Sequence, residues 1–148
     1  MGMTKKRTLC LDVGDKKIGV AVSDPFGKTA QPLTLLQRQN FQKDCLAIAA
    51  LLKEYEVEKM VIGLPLDLNS EEGAQAKKVR FFKETLEKFL HQTGHTMKVE
   101  LWDESFSSAE AEEILLEADL SRKKRKKVID KLAAALILQS WLERESHD

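Results

Sequence analysis

The run Thr8-Leu9-Cys10-Leu11 is apolar, contains no turn former and ends on Asp12, with Gly14 close behind. Such a run predicts a strand buried on both faces. Ile18, Val20 and Val22 then alternate with Lys17, Gly19 and Ala21. Period two predicts a second strand over 16–24 that returns antiparallel, one face apolar and the other small enough to let something approach the backbone. Asp12 falls near the lip of that hairpin. Asp24-Pro25-Phe26-Gly27 is a turn signal, and residues 28–36 follow as a third strand that Pro32 demotes to an edge.

The period then lengthens. Asn40 can cap a helix over 41–55, with Leu46, Ala49, Ala50 and Leu52 at helical spacing. Met60-Val61-Ile62-Gly63 reads as a covered parallel strand that Leu64-Pro65 stops. A second helix over 74–92 buries Val79, Phe82, Leu86, Phe89 and Leu90, and Gly94 ends it. Residues 98–104 make a fifth strand closed by the adjacent carboxylates Asp103 and Glu104, and Ser107 or Ser108 can cap a short acidic helix to about 116. The last helix, over about 126–145, carries Leu132-Ala133-Ala134-Ala135-Leu136-Ile137-Leu138. Apolar nearly all round, it must be covered on most sides, and Ala133 and Ala134, three and four residues after Asp130, let that turn approach a sheet closely. This order of elements predicts an α/β fold: a five-stranded mixed sheet with helices on both faces.

With 148 residues, 43% of them hydrophobic, the chain fits one domain over 1–148 with a substantial core. No stretch approaches a membrane span, and Met1 to Arg7 lead into no signal-peptide core. Cys10 and Cys45 have no pair spacing and read as buried hydrophobes in a reducing compartment, so the cytoplasm is expected. Twenty-four basic residues balance 24 acidic ones, so net charge announces no partner. Its distribution does more, because Arg122, Lys123, Lys124, Arg125, Lys126 and Lys127 form an unbroken basic run. His91 and His95 are spaced like zinc ligands, but Gly94 ends the helix between them and no third ligand is evident. Phe81, Phe82 and Phe89 read as core. Trp102 is turned by alternation away from Val99 and Leu101.

Three acidic positions distant in the chain stand out: Asp12 at one strand end, Asp103-Glu104 at another, and Asp130 on a helix that must pack on the sheet. Two carboxylates about 4 Å apart repel by roughly 4 kcal/mol at an effective dielectric near 20, so a converging trio needs protons or a cation. Oxygen-only ligands favour Mg²⁺ or Mn²⁺, and such ions suit phosphodiester hydrolysis. Lys16, Lys17 and the basic run could hold a nucleic-acid backbone through its phosphates. Simpler roles stand beside these. Asp12 could stabilise its own turn, Asp130 could pair with Lys126 or Lys127 on its helix, and Glu104 could be a surface residue or part of the next helix's cap.

Four segments together resemble one family. They are Asp12-x-Gly14-x-Lys16-Lys17-Ile18-Gly19-Val20-Ala21-x-Ser23-Asp24, Gly63-Leu64-Pro65-Leu66 with Gly73-Ala74-Gln75-Ala76, Asp103-Glu104 with Ser107-Ser108-x-Glu110-Ala111, and Lys127-Val128-Ile129-Asp130 leading into Ala133-Ala134-x-Leu136-Ile137-Leu138-Gln139. In this order they look like the bacterial YqgF (RuvX-type) family. The resemblance implies an RNase H-like fold related to Holliday-junction resolvases, and a nuclease that matures the 5′ end of the 16S ribosomal RNA precursor. It also implies that Asp12, Glu104 and Asp130 are the catalytic, metal-binding residues and that the partner is ribosomal RNA precursor or branched DNA; strand parity keeps Asp103 as the second choice of ligand. One departure is Ser105, where the family usually has Arg. Junction resolution and non-catalytic nucleic-acid binding in ribosome assembly are the competing functions. Asp-x-Gly at a hairpin also occurs in actin-like sugar kinases, but those need two lobes and this length suits one.

Overall fold

A computed structural model describes residues 7–66, 71–95, 97–103 and 122–146. Its elements are β1 (Arg7–Val13), β2 (Lys17–Ser23), β3 (Ala30–Gln37), α1 (Phe41–Glu54), β4 (Val57–Leu64), α2 (Ala74–Gln92), β5 (Lys98–Asp103) and α3 (Arg122–Ser146). The sheet order is β3-β2-β1-β4-β5. β1 pairs antiparallel with β2 and parallel with β4, β2 pairs antiparallel with β3, and β4 pairs parallel with β5. The expected five-stranded mixed sheet is therefore present, with β1 at its centre.

Alternation divides the side chains between two layers. Leu9, Leu11 and Val13 of β1 and Ile18, Val20 and Val22 of β2 join Met60 and Ile62 in a core closed by Ile48 and Leu52 of α1 and Val79, Phe82 and Leu86 of α2. On the opposite face Cys10, Ala21 and Val61 meet Ala134, Ile137, Leu138 and Trp141 of α3. Cys10 and Ala21 are small, so α3 lies close, across β1, β2 and β3. Gln139 fastens it there: its Oε1 accepts from the Ala30 amide at 2.9 Å and its Nε2 donates to the Lys28 carbonyl at 3.2 Å. Trp141 Nε1 donates to Glu100 Oε2 at 2.9 Å, which ties the far end of α3 to β5.

Several expectations shift in detail. The buried stripe of α1 is Asp44, Cys45, Ile48 and Leu52, while Leu46 is 52% exposed and Ala50 is also exposed. Leu46 stands about 160° around the helix from Ile48, so it points away from the stripe that faces the sheet. β3 begins at Ala30 rather than 28, and its register slips near Pro32, which has no amide to donate. Phe81, expected in the core, is 58% exposed. The last helix begins at Arg122, so the basic run belongs to its first turns. Trp102 does turn toward α3, where its Nε1 donates to Ser140 Oγ at 3.3 Å.

Burial pushes the Cys45 thiol up to about 11 from an ordinary value of 9.0, and the neighbouring Asp44 charge adds to it. A group whose folded pKa is raised contributes stability that is complete below its unfolded pKa and is lost as pH rises through the folded value. Between about pH 9 and 11, unfolding followed by denaturant titration should show wild type losing more stability than Cys45→Ala. Parallel pH profiles for the two proteins would show that Cys45 contributes nothing.

Candidate active site

Asp12 is the sixth residue of β1 and faces α3, because alternation sends Leu11 and Val13 to the opposite core. Its cross-strand partner on β2 is Gly19. A Cβ built on Gly19 would stand 2.6 Å from the backbone oxygen of Asp130, 3.6 Å from the Cβ of Asp12 and 3.7 Å from the Cβ of Ala134. Gly19 is thus the point where α3 touches the sheet backbone, and Asp12 and Asp130 flank it. The small face of β2 and the small residues of α3, read separately from sequence, are two halves of one contact.

Both aspartates line a cleft of about 390 Å³ with Gly14, Asp15, Lys16, Lys17, Gly19 and Leu35. Lys17 Nζ lies 3.7 Å from Asp130 Oδ2, and each side chain is about a third exposed, at 33% and 31%. This pair joins β2 to α3; the side chains of Lys126 and Lys127, the partners expected within the helix, lie outside the described residues. Partial exposure keeps its own stabilisation small. Its consequence is positional, because it holds a cation beside one of two neighbouring carboxylates.

The hairpin tip after Asp12 is fastened from three sides. Gly14 N donates to the Lys17 carbonyl at 2.9 Å, and a Cβ on Gly14 would meet that oxygen at 3.0 Å. Arg38, just past β3, donates its backbone N–H to the Lys16 carbonyl at 2.8 Å and its Nη1 to the Gly14 carbonyl at 2.9 Å. From α2, Gln75 Nε2 donates to the Val13 carbonyl at 3.2 Å and Lys78 pairs with Asp15 at 3.2 Å. Arg38 is itself held by Asp44, whose carboxylate is buried, at 3.3 Å. Sequence reasoning misses these supports. The only signal it offers is a lone arginine after an edge strand, with nothing to mark Asp44 as its partner.

The other sequence candidates divide. Lys16 and Lys17 line the cleft. The backbone sets Arg122, Lys123, Lys124, Arg125, Lys126 and Lys127 in the two turns of α3 that precede Asp130, and Lys124 is exposed. Asp103 ends β5 on the side of Val99 and Leu101, which pack into the α1/α2 core, and its charge acts on Arg80 of α2. That is the face opposite Asp12. Glu104, Ser105 and the expected helix at 107–116 lie outside the described residues. Among the described residues no group of three His, Cys, Asp or Glu side chains is arranged to hold a metal ion. Asp12 and Asp130 supply hard oxygen donors from two elements to one cleft, which suits a divalent cation such as Mg²⁺ or Mn²⁺ better than a soft or nitrogen-seeking metal.

Comparison with known proteins identifies the family and the fold. The family model RuvX, described as Holliday junction resolvase, matches residues 6–144. A relative from Desulforamulus reducens, named "Putative pre-16S rRNA nuclease", is 45% identical over 137 residues, covering 93% of this chain and 96% of its own. One of the same name from Shouchella clausii is 46% identical over 143 residues, covering 95% and 97%. Among solved structures, Thermus thermophilus RuvC superimposes with a TM-score of 0.56 at 14% identity, over 95% of this chain and 96% of that one. The fowlpox virus Holliday junction resolvase gives 0.54 at 15% identity, over 93% and 99%. The fold is accordingly the RNase H-like fold of those resolvases.

Gly19→Ala should force α3 away from β2, because the new methyl would stand 2.6 Å from a backbone oxygen that cannot rotate aside. Overpacking of this kind costs about 1–3 kcal/mol, and a shift of Asp130 relative to Asp12 should accompany it. Chemical denaturation and a crystal structure of the variant would check both. Unaltered stability with Asp130 unmoved would mean that the contact sets nothing.

Proposed function

The chain belongs to the RuvX family, and on that premise we propose that it is a divalent-metal-dependent nuclease that hydrolyses phosphodiester bonds in 5′-end processing of the 16S ribosomal RNA precursor. The observation that carries the reading is the approach of Asp12 and Asp130 across Gly19 in one cleft. These two residues would hold the ion, and Glu104, next in sequence after β5, would be the third ligand. Asp103 is set aside because its strand position turns it toward α2. When bound, the cation polarises the phosphate and raises the acidity of the attacking water.

The remaining steps belong to the chain itself. Lys17 offsets part of the repulsion between the carboxylates and offers ammonium protons at the cleft to a phosphate oxygen. Lys16, exposed at the hairpin tip, adds a second such contact. The fastened tip holds both lysines at a fixed height over β1, so a strand lying in the cleft is presented with one phosphate toward the aspartates. The first turns of α3, N-terminal to Asp130, carry the six basic residues Arg122 to Lys127, which we assign to further phosphate contacts. Asp130 is eight residues beyond Arg122, a distance of about 12 Å along the helix axis. Contacts of this kind hold a backbone without reading its sequence. RNA is preferred over branched DNA because the relatives carry the ribosomal RNA name, and the cytoplasm is the compartment that goes with that substrate. Among the described residues no helix is long and apolar enough to cross a membrane.

Cleavage of precursor ribosomal RNA and of a four-way DNA junction should be compared in Mg²⁺ or Mn²⁺ for wild type, Asp12→Asn and Asp130→Asn. Each substitution is expected to reduce cleavage by more than the roughly hundred-fold that removing a hydrogen-bond partner of a metal ligand costs, with binding retained. A wild type that binds both substrates and cuts neither would make the domain a binding factor, and preferential cutting of the junction would make it a resolvase. Replacing several of Arg122 to Lys127 by Gln should also flatten the dependence of binding on salt, by close to one unit of log–log slope for each phosphate that is no longer neutralised.

A further inference from the structure

A second recess, of about 410 Å³, opens beside the hairpin tip and is lined by Arg38, Phe41, Lys77, Lys78 and Phe81. Phe81 is 58% exposed and Phe41 37%. Their ring centroids are 5.5 Å apart at 76°, an edge-to-face contact between the first residue of α1 and the second turn of α2. Arg38 lies 5.6 Å over the Phe41 ring and 5.1 Å over the buried Phe82 ring, and Asp44 and the Gly14 carbonyl fix its guanidinium. The aromatic surface is therefore exposed, held in place from beneath and bordered by three cations.

Nothing in the folding of the domain requires this exposure, since Phe82 already fills the core position of that helical turn. The chemistry matches an unpaired nucleotide, with a π-face for the base and ammonium groups for the phosphates. The recess and the cleft share no lining residue, but two contacts across the hairpin tip link them. Lys78 pairs with Asp15, which lines the cleft, and Arg38 binds the carbonyl of Gly14, which lines it too. A strand leaving the aspartates over the hairpin tip arrives at Phe81.

We propose that this recess is a subsite for a single-stranded segment next to the scissile bond, one base stacking on Phe81 and the flanking phosphates contacting Lys77 and Lys78. The assignment rests on the nuclease reading for its place beside a cut site, but not for the binding it describes. It gives the enzyme a preference for substrates with an unpaired nucleotide beside the cleft, a property that the carboxylates alone do not supply.

Binding of a short single-stranded RNA carrying 2-aminopurine, and of a blunt RNA duplex, can be measured on the full chain without divalent ions so that no cleavage intervenes. Phe81→Ala should weaken the single strand about five-fold or more, the effect expected for one stacked base, and leave the duplex nearly unchanged. Phe81→Trp should restore the affinity, and wild type and the Trp variant should quench 2-aminopurine where the Ala variant does not. Because Phe81 is exposed, the thermal midpoint of Phe81→Ala should match wild type. Lys77→Gln combined with Lys78→Gln should reduce the salt slope for the single strand by about 1.4, two phosphates at roughly 0.7 each. Unchanged single-strand affinity in Phe81→Ala, or an equal weakening on the duplex, overturns the subsite and leaves the rings as a surface for a protein. A wild type that never cuts, paired with a Phe81→Ala variant that still binds the single strand less tightly, would sink the nuclease reading alone.

Discussion

Everything specific to this fold's chemistry depends on one backbone approach, that of the Asp130 turn of α3 to β2 at Gly19. Helix axes stand about 10 Å from a sheet when ordinary side chains lie between them. Here Gly19 offers no side chain, Ala21 and Cys10 on the same face are small, and α3 answers with Ala134. The helix settles until its own carbonyl would touch a methyl group at that position. Two aspartates separated by more than a hundred residues thereby border the same cleft. An alanine stripe on α3 would pack on many sheets. A glycine opposite Asp12 makes the packing converge on a charge.

The second constraint is the rigidity of the hairpin tip. A carboxylate at a strand end is useful only if the turn beyond it keeps a fixed shape, and this turn has few side chains of its own to stiffen it. Stiffness comes from outside, through Arg38 and Gln75, which satisfy three carbonyls that would otherwise face water. The buried end of that network is the Arg38–Asp44 pair. Removing charges from water offsets most of what such a pair gains, so its worth to overall stability is modest. Its geometric effect is larger. One guanidinium joins the end of β3, the start of α1 and the loop after β1, and the same guanidinium covers the Phe41 and Phe82 rings beneath the aromatic recess.

Periodicity exposes the sheet almost completely, because each strand is either a continuous apolar run or a clean alternation, and both patterns follow from which faces are covered. It also exposes the small face of β2 and the close-packing turn of α3. It fails on the phase of α1: Leu46 stands about 160° from Ile48, and apolar residues on both arcs leave the buried one undecided. It places the start of α3 too late because six consecutive cations oppose the helix dipole, although Lys and Arg are good helix formers in themselves. Arg38 and Asp44 are beyond its reach for a different reason. Their partners are carbonyls and a carboxylate brought together by the tertiary fold, and backbone carbonyls leave no mark on a sequence.

That unfavourable helix start bears on how a substrate would lie. Each cation in the first turn of a helix costs about 0.3–1 kcal/mol against the dipole, and the first turn of α3 contains no acidic residue to offset it. Approaching phosphates would reverse that cost. The cleft lies at the end of β1 with α3 on one face of the sheet and α1 and α2 on the other. A strand crossing the end of the sheet would meet the basic turns of α3 on one side of the aspartates and the aromatic recess on the other. The two sides differ in kind: a helical row of charge suits a regular backbone, and a ring bordered by lysines suits a base that has left its helix. On the proposals made above, the scissile bond then falls where paired and unpaired nucleic acid meet, and substrate choice follows from that boundary rather than from any base read by the protein.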